Sequence, residues 1–286
     1  MQLFAKVLRK LRVARYFNQR VKLVENGREF MIPLLGDLGY SNLSLTEPWM
    51  TVLFKRLSPI FEADEFVFVD VGVNIGQTLL KLRSVFPDAR YVGFEPNPTC
   101  VYYVNTLIDS NAFQNVSVFP VGISSTATVL SLNLYGEQSD DSAASLIENF
   151  RPEQRVYRSI HVPVFPVELI TIPEHIGFLK IDVEGAELEV LRGFAPQLRE
   201  FRPVVLTEIL PVYKEENLTR LERQESIERM MRDLDYRCYR AMHPAGVFSE
   251  LVSIDRIGIH ASVEWSDYLW VPAERDAMIR DWFSNK

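Results

Sequence analysis

"FVFVDVGVNIGQ", residues 66 to 77, decides how this chain is read. It runs as an apolar strand into Asp70, turns through Gly72, Asn74 and Gly76, and resumes as an apolar helical pattern. A strand that enters a helix through a glycine-bearing turn is the ligand-binding corner of an open α/β sheet, because glycine lets the backbone turn tightly and approach a ligand closely.

The next strand supplies a partner for that turn. "RYVGFEP" ends in Glu95, about 20 residues further on, where a carboxylate can accept both hydroxyls of a ribose. The dinucleotide fingerprint G-x-G-x-x-G is not met: Asn74 stands at its middle glycine, and its side chain would crowd a diphosphate seated on bare backbone. A ribose-bearing ligand with an amino-acid end and no phosphate fits better, so S-adenosylmethionine is the expected cofactor. Asp70, Gly72, Asn74, Gly76 and Glu95 are its first candidate contacts.

Working outward, strand-length apolar segments at 66–71, 90–95, 116–121, 178–182 and 203–209 alternate with helical patterns near 76–86, 98–110, 185–199 and 220–235. Further apolar segments follow at 236–241 and 267–271. This alternation predicts an α/β fold with a mainly parallel sheet covered by helices. Residues 124–167 break the rhythm. "TATVLSLNLY" alternates like an edge strand, "GEQSDDSAAS" is polar, and "HVPVFPVEL" carries too many prolines for a central strand. The stretch reads as an inserted hairpin whose loop is placed to build a lid. Residues 1–59 read as an N-terminal cap with a basic helix, and 60–286 as the main domain.

Composition narrows the function. The 286 residues are 47% hydrophobic, enough for one large core, and the formal charge of -7 argues against a nucleic-acid binder, which needs a basic footprint. Residues 1–22 run against this balance, with seven basic side chains and no acidic one. That arm either lies on the domain as a solvated amphipathic helix, the plainer reading, or makes a weak peripheral contact with an anionic membrane. No stretch reaches the about 20 apolar residues of a membrane span. Cys100 and Cys238 match no metal or redox spacing, which leaves reduced thiols in a cytoplasmic protein as the expectation.

Four stretches, "FVDVGVNIGQT" (68–78), "VGFEPNP" (92–98), "FLKIDVEGAELEVLRG" (178–193) and, more loosely, "SDYLWVP" (266–272), resemble the FkbM-type S-adenosylmethionine-dependent methyltransferases. The likeness spans roughly residues 60–272, and "KIDVEGAE" is its most specific element. It implies a class I methyltransferase fold, Rossmann-like, with a seven-stranded sheet whose last strand is an antiparallel insertion. It further implies O-methylation of a hydroxyl on a sugar or natural product. Val73 stands where that family usually has alanine.

The fourth strand delivers Lys180, Asp182, Glu184 and Glu187 to the carboxyl edge of the sheet, where such folds bind ligands. Strand alternation would put Lys180, Asp182 and Glu184 on one side. Asp182 is a candidate for both cofactor and acceptor, Glu184 and Glu208 are candidate catalytic carboxylates, and Glu187 is a helix-capping residue. A general base contributes about 10²–10⁴-fold to such a transfer. His161 and His243 are weaker candidates for that role, and no metal site is expected. Gly122 and Ile123 are placed to meet adenine, Ser142 and Ser145 to close over the cofactor, and Glu47 and Trp49 to line an acceptor pocket. Two alternatives stand: an NAD(P)-dependent oxidoreductase or epimerase, and a non-catalytic scaffold. Against the first, Tyr213 and Tyr236 are followed four residues on by Asn217 and Arg240, not lysine.

Overall fold

Apolar periodicity organises the chain around the opening segment. The computed structural model describes residues 18–44, 47–61, 66–136, 141–148, 150, 153–172, 175–214 and 216–284. It begins with a hairpin, β1 (Asn18–Glu25) and β2 (Arg28–Leu35), and helices α1 (Pro48–Arg56) and α2 (Ser58–Phe61). Strand β3 (Phe66–Val71), helix α3 (Gln77–Val85), strand β4 (Arg90–Phe94), helix α4 (Pro98–Asn111) and strand β5 (Val116–Phe119) follow. Next come β6 (Gly122–Ile123), β7 (Thr128–Leu134), β8 (Arg158–Phe165), β9 (His175–Ile181), α5 (Glu187–Gly193), α6 (Ala195–Glu200) and β10 (Val204–Glu208). The last elements are α7 (Leu218–Asp233), β11 (Tyr236–Met242), β12 (Glu250–Ile254), β13 (Asp267–Pro272) and α8 (Asp276–Ser284).

The main sheet has the order β12-β11-β13-β10-β9-β3-β4-β5. The run from β10 to β5 is parallel, and β13 lies antiparallel between β10 and β11. This is the expected class I methyltransferase arrangement with one addition, the edge strand β12. No residue of β12 is buried, so its sequence lacks the apolar face that would have announced it.

Parallel strands covered on both faces must be apolar on both faces, and β3 shows it. Val67, Val69 and Val71 point into a core shared with α5, α6 and α7. Phe68 points the other way, stacked between Tyr91 and Phe178 at ring distances of 5.9 and 5.1 Å. That second core also takes α1, α3, α4 and the β1–β2 hairpin. Helix α4 starts where Asn97 accepts a hydrogen bond from the Thr99 amide at 3.0 Å and Pro98 supplies a preset φ.

Three expectations change. The helix expected over 185–199 is two helices, broken at Phe194, because Pro196 lacks the N–H to continue the first and fits instead in the opening turn of the second. The proline-rich segment is not excluded from a central position: β8 is the middle strand of a second sheet, β6-β8-β7. It tolerates Pro163 because β6 pairs only with Val164 and Phe165, leaving Pro163 opposite Val129 of β7 alone. In the basic arm, residues 18–22 belong to β1 and not to a helix; residues 1–17 lie outside the described residues.

Candidate functional site

The turn after β3 is built by left-handed backbone. Gly72, Asn74 and Gly76 have φ of 92°, 49° and 79°. A Cβ on Gly72 would stand 1.8 Å from the Asp182 carbonyl oxygen, so the close passage of the β9 exit is reason enough for glycine there. The Gly72 amide donates to the Phe94 carbonyl at 2.9 Å, tying the turn to the end of β4. Glu95 completes the tie: Oε2 accepts from the Asn74 amide and Oε1 from the Asn97 amide, each at 2.8 Å. Burial pushes the Glu95 pKa up to about 7, against the pull of those two amides. Each oxygen keeps a second lone pair for a ligand.

This corner opens on a cleft of about 830 Å³. The turn contributes Gly72, Asn74 and Gln77, the end of β4 Glu95, and β6 Gly122 and Ile123. The inserted hairpin adds Leu132, Asp141, Ser142 and Leu146, the β9 exit Asp182 and Glu184, the end of β10 Glu208, and the N-terminal region Ser41 and Glu47. Six carboxylates therefore face the cleft, and among the described residues no lysine, arginine or histidine does.

The expected site residues divide. Glu95, Gly72, Asn74, Gly122, Asp182, Glu184 and Glu208 line the cleft. Asp70 is fully buried beneath it, accepting from the Tyr91 hydroxyl at 2.6 Å and lying 3.5 Å from Lys180 Nζ. Burial raises its pKa, although Lys180 and Tyr91 oppose this. Gly76 packs against Leu107 of α4 and is not a lining residue. Strand alternation fails to carry Lys180, Asp182 and Glu184 onto one face, because β9 ends at Ile181 and Glu184 is left-handed at φ 53°. Lys180 reaches Asp182 all the same, at 3.2 Å. Burial pulls the lysine pKa down, but Asp182 and Asp70 outweigh it and hold the pKa above its usual value. Glu187 accepts from the Gly185 amide at 2.8 Å, a capping role. Trp49 is core, and His161 is exposed on β8. Ser142 lines the cleft, whereas Ser145 is buried and donates to the Glu184 carbonyl at 2.7 Å.

Residues 70–238 match the Methyltransferase FkbM domain. The chain belongs to that family. The FkbM domain is one of S-adenosylmethionine-dependent methyltransferases, and the cofactor is the one the turn led to. Two curated relatives match at similar strength. Methyltransferase sdnD of Sordaria araneosa is 29% identical over 152 residues, 44% of this chain and 59% of the relative. Methyltransferase 1 of Beauveria bassiana (strain ARSEF 2860) is 27% identical over 150 residues, 46% of this chain and 59% of the relative. The chain thus spans less than two thirds of the relatives it matches. Among solved structures, methyltransferase FkbM from Methylobacillus flagellatus KT aligns with a TM-score of 0.48 and 18% identity, over 81% of this chain and 52% of that one.

The residues of this FkbM domain fit the cofactor. A carboxylate-lined cleft suits a sulfonium and an ammonium and penalises phosphates, and Glu95 is held in the cleft wall with spare acceptor capacity for hydroxyls. The hairpin closes one side. Phe150 sits over Gly185, where a Cβ would meet its ring at 2.5 Å, and the Arg220 guanidinium lies 4.5 Å from that ring.

Where β10 ends in the cleft wall, burial drives the Glu208 pKa well above the usual carboxylate range, helped by Asp182, Asp267 and Glu184. His243 does not line the cleft; its Nε2 lies 2.8 Å from Asp267 Oδ2. Asp267 was missed in the sequence. Its signals are its place in the family-like stretch "SDYLWVP" and its position as the acidic residue that opens an apolar strand.

Proposed function

We propose that this FkbM domain transfers the methyl group of S-adenosylmethionine to a hydroxyl of a small saccharide or secondary metabolite. The observation that carries the reading is the lining of the cleft: six carboxylates with no basic side chain among the described residues. Such a wall favours a cationic donor and a neutral acceptor, and disfavours NAD(P) and nucleic acid.

In this reading Glu95 accepts the ribose hydroxyls, Gly122 and Ile123 border adenine, and Asp182, held by Lys180, meets the amino-acid end. Gly72 and Asn74 shape the turn beneath the cofactor, and Asp70 anchors Lys180 from below. The bound cofactor supplies a sulfonium methyl, whose passage to the acceptor oxygen breaks an S–C bond and forms an O–C bond. The chain's own part is to orient the hydroxyl, exclude water and take its proton. Glu208 is the proton acceptor, with Glu184 beside the acceptor. Residues 1–59 act as a cap on the domain at 60–286, supported by Glu47 and Ser41 in the cleft wall. Cys100 and Cys238 form no disulfide with one another, which supports a cytoplasmic setting.

Calorimetry tests the reading: S-adenosylhomocysteine binds at micromolar strength, and Glu95→Ala weakens it at least tenfold. A folded wild-type protein that gives no heat with either cofactor form overturns it. Incubation with methyl-labelled S-adenosylmethionine and a panel of saccharides then reports the acceptor.

A further inference from the structure

Beside Glu208 lies a pair of residues, Asp267 and His243, to which methyl transfer itself assigns no part. Resting on the reading of Glu208 as proton acceptor, we propose that they are positioning residues for it: they hold next to Glu208 a negative charge whose repulsion is relieved when Glu208 takes the acceptor's proton.

The sheet register sets the arrangement. Glu208 of β10 is directly opposite Asp267 of β13. The next amide, Ile209, donates to the Ser266 carbonyl at 2.8 Å. That bond makes Glu208 and Asp267 a non-hydrogen-bonded pair, the kind in which Cα atoms are about 4.5 Å apart and side chains stand close on the same face. Like charges so placed destabilise one another. His243 answers half of this charge. Its Nε2 lies 2.8 Å from Asp267 Oδ2, and its ring is stacked on Trp49 at 4.4 Å and 6°, with Trp49 itself buried. The imidazole is therefore fixed against Asp267.

The other groups around the cluster are anionic or already committed. Glu47 comes from the start of α1, and Asp182 and Glu184 from the β9 exit; all three push the Glu208 pKa up. Lys180 is held by Asp70 and Asp182, and Lys81 by Glu47 at 3.3 Å. Burial lifts Asp267 to about 6, a rise the His243 hydrogen bond opposes. Burial lowers the imidazole pKa, but Asp267 outweighs it, so His243 is protonated more readily than a free histidine. His243 thus keeps Asp267 charged and denies it the proton. When the acceptor's O–H bond breaks, its electron pair goes to the new O–C bond and the proton to a Glu208 oxygen. The Glu208–Asp267 repulsion then disappears. Proton acceptance is favoured at the carboxylate that faces the cleft, by a device lying behind it.

The test follows the Glu208 carboxyl itself and needs no acceptor. The full chain is labelled with glutamate carrying carbon-13 at Cδ, and the Glu208 resonance is identified as the one absent from Glu208→Gln. Asp267→Asn removes a facing anion and lowers the Glu208 titration midpoint by about one pH unit or more. Asp267→Ser, a second neutral replacement of the facing anion, lowers it in the same way. Near-UV circular dichroism establishes which variants fold, and either folded variant alone decides. A midpoint that stays in place, or that moves opposite to this direction, overturns the proposal. Calorimetry with S-adenosylhomocysteine on the wild-type sample separates the two readings. Binding with an unmoved midpoint sinks the positioning pair alone, whereas absent binding sinks the methyl-transfer reading.

Discussion

A Cβ built on Gly72 would stand 1.8 Å from the carbonyl oxygen of Asp182. The exits of β3 and β9 are therefore packed backbone to backbone, and φ at Gly72 is 92°. Gly72→Ala must both strain a left-handed backbone and push the two exits apart. We expect a loss of about 3 kcal/mol in folding stability, measured by urea unfolding. A loss below about 1 kcal/mol would show that the two turns are free to separate.

Lys180 lies between two carboxylates, 3.5 Å from Asp70 Oδ1 and 3.2 Å from Asp182 Oδ2. Asp70 is completely buried, so Lys180→Met leaves an uncompensated charge under the cleft and costs about 3–5 kcal/mol. The double variant Lys180→Met with Asp70→Asn recovers at least half of that loss. If the double variant unfolds as readily as the single one, packing and not charge sets the cost.

Glu187 is buried and its pKa is raised to about 7, by burial against the Gly185 amide. Its folded pKa lies above the unfolded value, so the folded state binds the proton more tightly. Its stabilising effect is fully present below about pH 4.5 and is lost as pH rises through about 7. Between pH 5 and 7.5 the wild-type protein should lose about 2 kcal/mol more stability than Glu187→Gln, at a slope no steeper than about 1.4 kcal/mol per unit. Chemical unfolding at several pH values reads this directly, and parallel curves for the two proteins would contradict it.

Glu95, also raised to about 7, must be ionised if it is to accept two ribose hydroxyls as proposed. Below that pH, binding has to expel a proton, so the affinity for S-adenosylhomocysteine should rise up to tenfold per unit toward pH 7 and then level off. Glu95→Gln flattens the profile and weakens binding throughout. Titration calorimetry at pH 5.5, 6.5 and 8 is the measurement; an affinity that falls with pH would exclude this role for Glu95.

Much of this architecture is legible in residue order. The strand expected at 66–71 matches β3 residue for residue, because burial on both faces demands a mostly apolar run and the left-handed Gly72 ends it. The Asn97-Pro98 start of α4 is a local signal of the same kind. Elements without such marks were lost or misjudged. No residue of β12 is buried, and β8 reads as excluded from a central position because of a proline whose tolerance depends on the brevity of β6. Asp70 and Glu95 both read as cofactor contacts, yet one lies under the floor and the other in the wall. Which way a strand-end carboxylate turns depends on Tyr91 and Lys180, distant in the chain.

Residue order settled whatever depends on near neighbours: the alternation of strand and helix, the turn at 72–76, the acidic residue closing the second strand, and hence the class of fold and cofactor. It could not reach the facing of Glu208 and Asp267, the crossing of Gly72 over Asp182, or the grouping of six carboxylates around one cleft. Those come from register and from close-packed exits, where groups far apart in the chain share the same few ångströms. Their charges acquire chemical meaning once they desolvate and repel one another there.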